Sequence, residues 1–216
     1  PNTLDDTELR KRFDRETQIM SKLNHPHIVT IFERVKTEDD SAYIVMEYLE
    51  GEDLESFLEG ATLDLSTTLS IVKQACDALA HAHSHGIIHR DIKPSNLMLL
   101  DAQRVKVMDF GIAKAEWSEN LTMDNVIGTP AYMSPEQAKG RKVDSRSDIY
   151  SLGCVLYEML SGRPPFVLKR GENPLQLLHR HCEVYPPLLS DLRPGLPGSV
   201  VTLVHAMLAK EPGDRP

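Results

Sequence analysis

The sequence predicts an α+β fold in which a short strand-rich part is followed by a larger, mostly helical part. Two runs of strand-favouring residues, 24–35 and 42–47, flank a polar turn. A further pair of apolar runs within 97–108, again joined by a polar turn, predicts a hairpin. Helices are predicted at 64–85, from apolar residues at helical spacing, and at 149–160, which is apolar nearly all round and therefore expected to be buried.

The first segment of the chain is a predicted helix with a carboxylate on its apolar face. The apolar positions recur at helical steps and are Leu9, Phe13, Met20 and Leu23. Glu16 falls on the same face. Because an unpaired buried carboxylate is costly, Glu16 either has a cationic partner or lies at the edge of the stripe and reaches water.

The helix at 64–85 has one clear apolar face, and Gly86 is placed to end it. The residues sharing that face are Leu69, Val72, Cys76, Leu79 and His83. His81 and His85 lie one turn apart, which raises the hypothesis of a metal site. No further Cys or carboxylate in the sequence is arranged to complete such a site, so histidines that satisfy a helix end are the favoured interpretation.

The remaining helices are predicted from the same kinds of sequence pattern. The buried helix at 149–160 is expected to open at Asp148 and to end before Gly162. Residues 167–198 are rich in Pro, Leu and His and predict a loop–helix–loop region. A last apolar helix is predicted at Val200–Leu208.

Composition sets broad limits on the function. A chain of 216 residues that is 41% hydrophobic can bury a substantial core. Its net charge of −8 and the lack of a basic run argue against nucleic-acid binding. The three scattered cysteines predict free thiols in a reducing compartment, and no signal peptide or membrane-spanning apolar run is present in the sequence. The predicted location is therefore the cytoplasm.

The chemistry concentrates between His89 and Gly111. This stretch holds the polar side chains Asp91, Lys93, Asn96 and Asp109. The predicted hairpin brings Asn96 and Asp109, at its two open ends, close together. An amide oxygen and a carboxylate can then converge on one hard cation such as Mg²⁺, with the second carboxylate of Asp91 nearby. Phosphoryl transfer needs this arrangement and a base beside the acceptor hydroxyl.

The motif H-R-D-I-K-P-S-N followed by D-F-G resembles the catalytic core of eukaryotic-type protein kinases. The downstream G-T-P-A-Y-M-S-P-E-Q-A and S-D-I-Y-S-L-G segments resemble bacterial (Hanks-type) Ser/Thr kinases, and the likeness covers nearly the whole chain. It implies a two-lobed kinase-like fold. Residues 1–48 would form a partial small lobe (helix αC and two strands) up to the hinge. Residues 49–216 would form the nearly complete large lobe, with an activation segment at about 109–136.

The resemblance implies transfer of the γ-phosphate of ATP to Ser or Thr of proteins. Asp91 would accept or orient the hydroxyl proton, and Lys93 would neutralise charge on the phosphoryl group. Asn96 and Asp109 would hold Mg²⁺, with Mn²⁺ as a substitute ion. Expected partners are protein substrates and, for autophosphorylation, a second copy of the chain. The parent protein of such a domain can be membrane-anchored through another segment.

The resemblance also assigns the nucleotide site. The residues implied to form it are Met46, Glu47, Leu49, Asp53, Met98 and Glu16, of which Glu16 matches the glutamate that pairs with the phosphate-holding lysine. Met46 would lie at the back of the adenine pocket, with the backbone of Glu47 and Leu49 on the adenine edge. Asp53 matches a ribose-contacting position, and Met98 matches the position beneath the adenine ring.

Six further residues match regulatory or supporting positions: Arg90, Thr122, Thr129, Glu136, Asp148 and Arg215. Thr122 is the best candidate for a regulatory phosphate, with Ser118 second, and Arg90 would pair with that phosphate. Thr129 matches the threonine that bonds the catalytic Asp and Lys of Ser/Thr kinases. Asp148 would anchor the catalytic-loop backbone, and Arg215 would pair with Glu136. Ser134 stands where alanine is commoner, and no consequence is expected.

The sequence departs from the family pattern at its start. No G-x-G-x-x-G motif occurs, and the cationic residues ahead of Glu16 all lie on its own predicted helix, so none matches the strand-β3 lysine that pairs with this αC glutamate. We therefore expect a domain truncated at both ends, with weak or no catalysis by this chain alone. Two other functions stay open: a pseudokinase-like binding scaffold, and a small-molecule phosphotransferase of related fold.

Overall fold

The computed structural model describes residues 23–36, 42–101, 104–110 and 130–216. The predicted first helix lies outside these ranges up to its last apolar position, Leu23. Four of the candidate functional residues also lie outside them: Glu16, Ser118, Thr122 and Thr129.

The described residues form five strands and seven α-helices. The strands are β1 (Ile31–Lys36), β2 (Ala42–Met46), β3 (Glu52–Asp53), β4 (Leu97–Asp101) and β5 (Arg104–Val107). The helices are α1 (Leu54–Gly60), α2 (Leu65–Ser84), α3 (Pro135–Ala138), α4 (Ser145–Ser161), α5 (Pro174–Glu183), α6 (Leu189–Leu192) and α7 (Gly198–Met207). Short 3₁₀ turns lie at Pro94–Asn96, Pro130–Tyr132 and Pro212–Asp214.

The strands make two small antiparallel sheets. β1 pairs with β2, with Ile31 opposite Met46, as the sequence predicts. The predicted hairpin is also present as β4 and β5, with Leu97 opposite Val107. The two-residue strand β3, which adds to the free edge of β4, was not predicted, because it is too short to show an alternating pattern.

The strand predicted at 24–35 is wrong in its first half. The chain turns at Pro26, where Ile28 N donates to His25 O at 3.1 Å, and regular pairing with β2 begins only at Ile31. The intervening backbone pairs with β5 instead. Val29 N donates to Val107 O at 3.0 Å, and Val107 N donates to His27 O at 2.9 Å. The segment before β1 therefore ties the small sheet to the hairpin that carries the catalytic motif.

Helix α4 is the centre of the large lobe. It is buried on nearly every side, and Tyr150, Leu152, Val155 and Leu156 are fully buried. The predicted burial of this helix is confirmed, but its start was placed too late. The helix begins at Ser145 because the Asp144 side chain accepts a hydrogen bond from Arg146 N. Asp148 therefore lies in the first turn and does not open the helix.

Helix α2 packs against α4 and against β5. Its fully buried positions are Thr68, Ile71, Ala75, Ala78, Leu79 and Ala82. The predicted stripe was centred about one position away, since Leu69 and Cys76 lie only at its margin. Gly86 ends the helix with φ 75° and Gly162 ends α4 with φ 78°, both as expected for glycine caps. No helix in the described ranges is long and apolar enough to cross a membrane.

Gly51 lies where the chain enters β3 and runs directly against the backbone of β4. A Cβ at this position would be 2.0 Å from Leu99 O. Because the obstacle is backbone in a paired strand, it cannot move aside without breaking the ladder. We expect Gly51→Ala to destabilise the domain by about 1–3 kcal/mol, measured by urea unfolding.

The matched control is Gly60→Ala. A Cβ at Gly60, the last residue of α1, meets no atom within 4 Å. This substitution should leave the stability unchanged or raise it by roughly 0.5–1 kcal/mol. Equal stability of the two variants would contradict the steric argument.

Candidate active site

His89 anchors the predicted catalytic loop to the end of β5. Its ring is fully buried, with Nε2 2.8 Å from Met108 O and with Nδ1 accepting from Asp91 N at 3.2 Å. The ring lies 4.5 Å from the ring of Phe110, centroid to centroid. Burial lowers the pKa of His89. The neutral tautomer with its proton on Nε2 satisfies both contacts, so His89 joins the backbone beside Asp91 to the backbone beside Asp109.

Asp148 holds the same loop from the other side. This carboxylate is fully buried in the first turn of α4 and accepts from His89 N at 2.9 Å and from Arg90 N at 2.8 Å. Its third partner is His83 Nε2 at 2.7 Å, which sequence reasoning had only placed on the apolar face of α2. The loop backbone is thereby fixed to two helices of the large lobe.

The backbone at Arg90 is strained. Its φ is 65°, a left-handed conformation that costs a residue with a long side chain roughly 1–2 kcal/mol. Such a conformation persists only where surrounding contacts over-determine it. The hydrogen bond from Arg90 N to Asp148 is one of these contacts, and it holds the backbone directly before Asp91.

Asp91, Lys93 and Asn96 form a compact polar group. Lys93 Nζ lies 3.5 Å from Asp91 Oδ2. The buried Asn96 donates from Nδ2 to Asp91 O at 2.8 Å and to Asp91 Oδ2 at 3.2 Å. Because the amide nitrogen is directed at Asp91, the amide oxygen is the atom of Asn96 that can face a cation.

The open ends of the hairpin do meet. Met108 N donates to Asn96 O at 2.9 Å, so Asp109 follows immediately beside Asn96. Asp109 is solvent-exposed and has a φ of 50°, a second strained position in the same site. The two residues at the open end of the hairpin, Asn96 and Asp109, thus carry the kind of oxygen ligand that Mg²⁺ prefers.

The histidine pair on α2 has a structural explanation. His85 Nδ1 contacts His81 O at 2.9 Å at the end of the helix, and the two rings lie 4.6 Å apart. His25 stacks on His81 at 5.1 Å from the small-lobe side. In the described ranges, no group of three or more His, Cys, Asp or Glu side chains is arranged to hold a metal ion.

The predicted hinge follows β2. Met46 is the last residue of β2, and Glu47 N donates to Thr30 O at 2.9 Å. The Glu47 carboxylate accepts from Thr30 N at 2.6 Å and from Lys106 Nζ at 2.5 Å. Burial raises the pKa of Glu47, but the hydrogen bonds from Lys106 and Thr30 outweigh it and hold the pKa below its usual value. The side chain is therefore pinned against the large-lobe hairpin, a contact that the sequence did not suggest.

Two of the predicted nucleotide contacts lie on the β3–β4 pair. Met98 is opposite Asp53 in β3 and opposite Lys106 in β5. The Asp53 carboxylate caps α1, accepting from Ser56 N at 2.9 Å and from Ser56 Oγ at 2.8 Å. Its present partners are thus helix donors, and any ribose contact would share the carboxylate with the cap. Leu49 is partly buried in the linking segment.

Glu136 and Arg215 form a buried two-point ion pair. The two Nη atoms of Arg215 lie 2.7 and 2.8 Å from the two carboxylate oxygens, and Ser147 Oγ also donates to Glu136. Burial raises the pKa of Glu136, but the hydrogen bonds from Arg215 and Ser147 together bring it below its usual value. This pair locks α3 to the end of the described chain beside α4.

The segment after residue 129 makes another contact, which was not predicted from the sequence. Tyr132 Oη donates to Glu158 Oε2 at 2.6 Å, which explains why one carboxylate interrupts the apolar helix α4. Burial and the nearby Glu55 raise the pKa of Glu158, while the bond from Tyr132 opposes them. The signal in the sequence was a single acidic residue, Glu158, in an otherwise apolar helix, because a buried carboxylate needs a hydrogen-bond donor.

Comparison with known proteins identifies the family. Residues 2–216 match the protein kinase domain family. A probable serine/threonine-protein kinase of Corynebacterium efficiens is 43% identical over 97% of this chain and 33% of its own length. The serine/threonine-protein kinase PknB of Mycobacterium leprae is 43% identical over 94% of this chain and 33% of its own length. The chain thus spans about a third of the length of these curated relatives.

The fold comparison agrees. The crystal structure of Rad53 1–466 in complex with AMP-PNP superposes with a TM-score of 0.78 and 28% identity, over 95% of this chain and 52% of that one. The kinase-like α+β fold expected from the sequence is therefore confirmed. With the family match over nearly its whole length, this chain belongs to the protein kinase domain family.

Proposed function

We propose that this chain is the catalytic domain of a protein serine/threonine kinase, which transfers the γ-phosphate of ATP to hydroxyl groups of proteins. The observation that carries the proposal is the grouping of Asp91, Lys93 and Asn96 beside Asp109, on a loop fixed by Asp148. Family membership and relatives named serine/threonine-protein kinases support it.

Each residue of the group has a role in that reaction. Asp91 would accept the proton of the incoming hydroxyl or orient it, since its carboxylate is the base on the strained loop. Lys93, 3.5 Å from it, would neutralise charge on the phosphoryl group in flight. Asn96 Oδ1 and the Asp109 carboxylate would hold Mg²⁺, which supplies charge neutralisation and orientation of the phosphates when bound.

The nucleotide would lie between the hinge and β4. Glu47 N–H is already bonded to Thr30, so the Glu47 carbonyl is the group left to meet an adenine amine. Leu49 would supply the neighbouring N–H, and Met98 would lie below the ring. The relative whose structure contains AMP-PNP supports an adenine nucleotide as the ligand class.

The ion pair behind the hinge gives a prediction for nucleotide affinity. Lys106→Met removes the bond to Glu47 and a second one to Ile28 O at 3.2 Å. The hinge backbone should then be less well ordered, and the KM for ATP should rise by about threefold to tenfold, the equivalent of one lost hydrogen bond of roughly 1 kcal/mol. The kcat should change less, because Lys106 is not in the reacting group.

The control for this variant is Lys73→Met. Lys73 forms an exposed pair with Asp77 on α2, and such pairs contribute little. Initial-rate kinetics at varied ATP concentration would separate the two variants. An unchanged KM in Lys106→Met would mean that the hinge does not depend on this pair.

The decisive experiment is phosphoamino-acid analysis of a generic protein substrate after incubation of the full-length protein with labelled ATP and Mg²⁺. The proposal expects phosphoserine or phosphothreonine, lost in Asp91→Asn. Nucleotide binding with no phosphate transfer by the folded protein would instead support the scaffold function. Phosphorylation of a small alcohol and not of protein would support the small-molecule phosphotransferase.

A further inference from the structure

The four-residue helix α3 begins with a closed pair of hydrogen bonds between Ser134 and Gln137. Gln137 N donates to Ser134 Oγ at 3.3 Å, and Gln137 Oε1 accepts from Ser134 N at 3.0 Å. Ser134 Oγ also donates to Gln137 Oε1 at 3.0 Å, and Ser134 is fully buried. The amide oxygen of Gln137 is thus held by two donors, which fixes the plane of its amide group.

With its oxygen held, the Gln137 amide nitrogen points at the catalytic loop. Gln137 Nε2 donates to Arg90 O at 2.9 Å, across 47 residues of sequence. This is the carbonyl of the strained residue with φ 65°. Asp148 already holds the N–H of the same residue, so both backbone polar groups of Arg90 are fixed by side chains from distant elements.

The hydrogen bond from Gln137 to Arg90 O does more than support the cap of α3, because of where Arg90 lies. The Arg90 carbonyl belongs to the peptide bond that leads into Asp91, and that peptide's N–H is held by His89. The orientation of this peptide decides where the Asp91 side chain is presented. Gln137 in turn lies in the 130–138 segment, which packs on α4 and α5.

We infer that Gln137 is a positioning residue for the phosphoryl-transfer site, oriented by Ser134, and that it couples the 130–138 segment to the catalytic loop. The inference rests on the proposed kinase function. It also revises the expectation for Ser134, because a residue expected to have no consequence orients the side chain that holds Arg90.

The test uses the full-length protein and the variant Gln137→Glu. A glutamate can still accept from Ser134, so α3 stays capped, but an ionised carboxylate cannot donate to Arg90 O and repels it. We expect kcat to fall about tenfold to a hundredfold, because a small misplacement of the catalytic group is enough for such a loss. The KM for ATP should stay within about twofold, since the hinge is untouched.

Gln176→Glu is a matched control. Gln176 forms the same kind of box at the start of α5, where its Oε1 accepts from Asn173 N at 2.9 Å. If Gln137 serves only to cap its helix, both variants should show the same small change in melting temperature and unchanged kcat, and that result would overturn the inference. A kcat loss confined to Gln137→Glu, at similar melting temperatures, is the expected result.

A second variant tests the inference in case Gln137→Glu does not fold. Ser134→Ala removes the orienting hydroxyl while leaving the Gln137 amide in place, so kcat should fall by a smaller factor of about three, again without a change in the KM for ATP. An unchanged kcat in folded Ser134→Ala would overturn the orienting role of Ser134. Wild type and Asp91→Asn, assayed in parallel, separate the hypotheses. No phosphate transfer by the folded wild type would mean that the proposed function fails. Transfer that is lost in Asp91→Asn but unimpaired in Gln137→Glu would mean that only the coupling inference fails.

Discussion

Replacing Asp91 by asparagine is expected to lower the rate of phosphate transfer by about 10²–10⁴-fold, the range that a positioned acid–base group contributes. Asparagine has nearly the same shape but cannot take up the proton of the incoming hydroxyl. The contact that Asn96 makes at 2.8 Å is to the main-chain carbonyl of residue 91, so it survives the substitution. The loop geometry should therefore persist, and the loss should appear in kcat.

Two measurements make this result specific. Nucleotide binding by Asp91→Asn, followed by fluorescence or calorimetry, should match the wild type, because the predicted hinge contacts lie on other elements. Asp191→Asn, an exposed aspartate in α6, should keep wild-type turnover. Full activity of a folded Asp91→Asn would remove this carboxylate from the reaction and with it the proposed site.

The parts of this site that the sequence predicted are those set by local patterns. The β4–β5 hairpin follows from two apolar runs around a polar turn, and this alone brings Asn96 to Asp109. The burial of α4 follows from a sequence that is apolar nearly all round the helix. Such signals depend on neighbours within a few residues, which fix backbone geometry and the buried face.

The contacts that sequence reasoning missed join residues far apart along the chain. Gln137 reaches Arg90 across 47 residues, Lys106 reaches Glu47 across 59, and His83 reaches Asp148 across 65. The sequence around each of these side chains does not identify its partner, because the pairing depends on how the helices and strands pack. Burial of a polar group only requires that some partner exist.

Two helix caps had local signals in the sequence that were overlooked. The cap of α4 was available as Asp144 followed by Ser145, but the search for apolar residues placed the helix start at Asp148. Asp53 followed by Ser56 is likewise a helix-capping pattern that was overlooked, while the ribose contact implied for Asp53 stays a prediction. Capping residues decide where helices begin even when the apolar pattern starts later.

Replacing Arg215 by methionine is expected to destabilise the domain by about 3–5 kcal/mol, because it leaves the buried Glu136 carboxylate without its two-point partner. The loss extends further, since the same guanidinium donates to the carbonyls of Arg146 at 2.8 Å and Ala209 at 2.9 Å. For a chain of this length we expect the melting temperature to fall by about 10 °C. Thermal unfolding of the full-length protein, monitored through this domain, measures the effect.

Arg104→Met is the control for charge removal alone. Its pair with Asp101 is at a similar distance of 2.6 Å but lies on the surface, where such a pair contributes at most about 1 kcal/mol. The double variant Glu136→Met with Arg215→Met should be less destabilised than the sum of the two single variants, since it buries no unpaired charge. Additive losses would show that the two side chains act independently.

The stabilisation by the Glu136–Arg215 pair depends on pH, and the direction of that dependence follows from the pKa of Glu136. Because the pKa of Glu136 in the folded protein lies below its ordinary value, the unfolded chain binds a proton at this carboxylate first as the pH falls. The contribution of the pair is therefore complete above the unfolded carboxyl pKa of about 4.3 and is lost as the pH drops through the folded value. The stability difference between wild type and Arg215→Met should be largest near neutral pH and shrink as the pH falls, because burial raises the pKa of the unpaired Glu136 in the variant and protonation removes its unpaired charge. A difference that stayed constant on acidification would mean that Arg215 stabilises the fold mainly through its carbonyl contacts and not through Glu136.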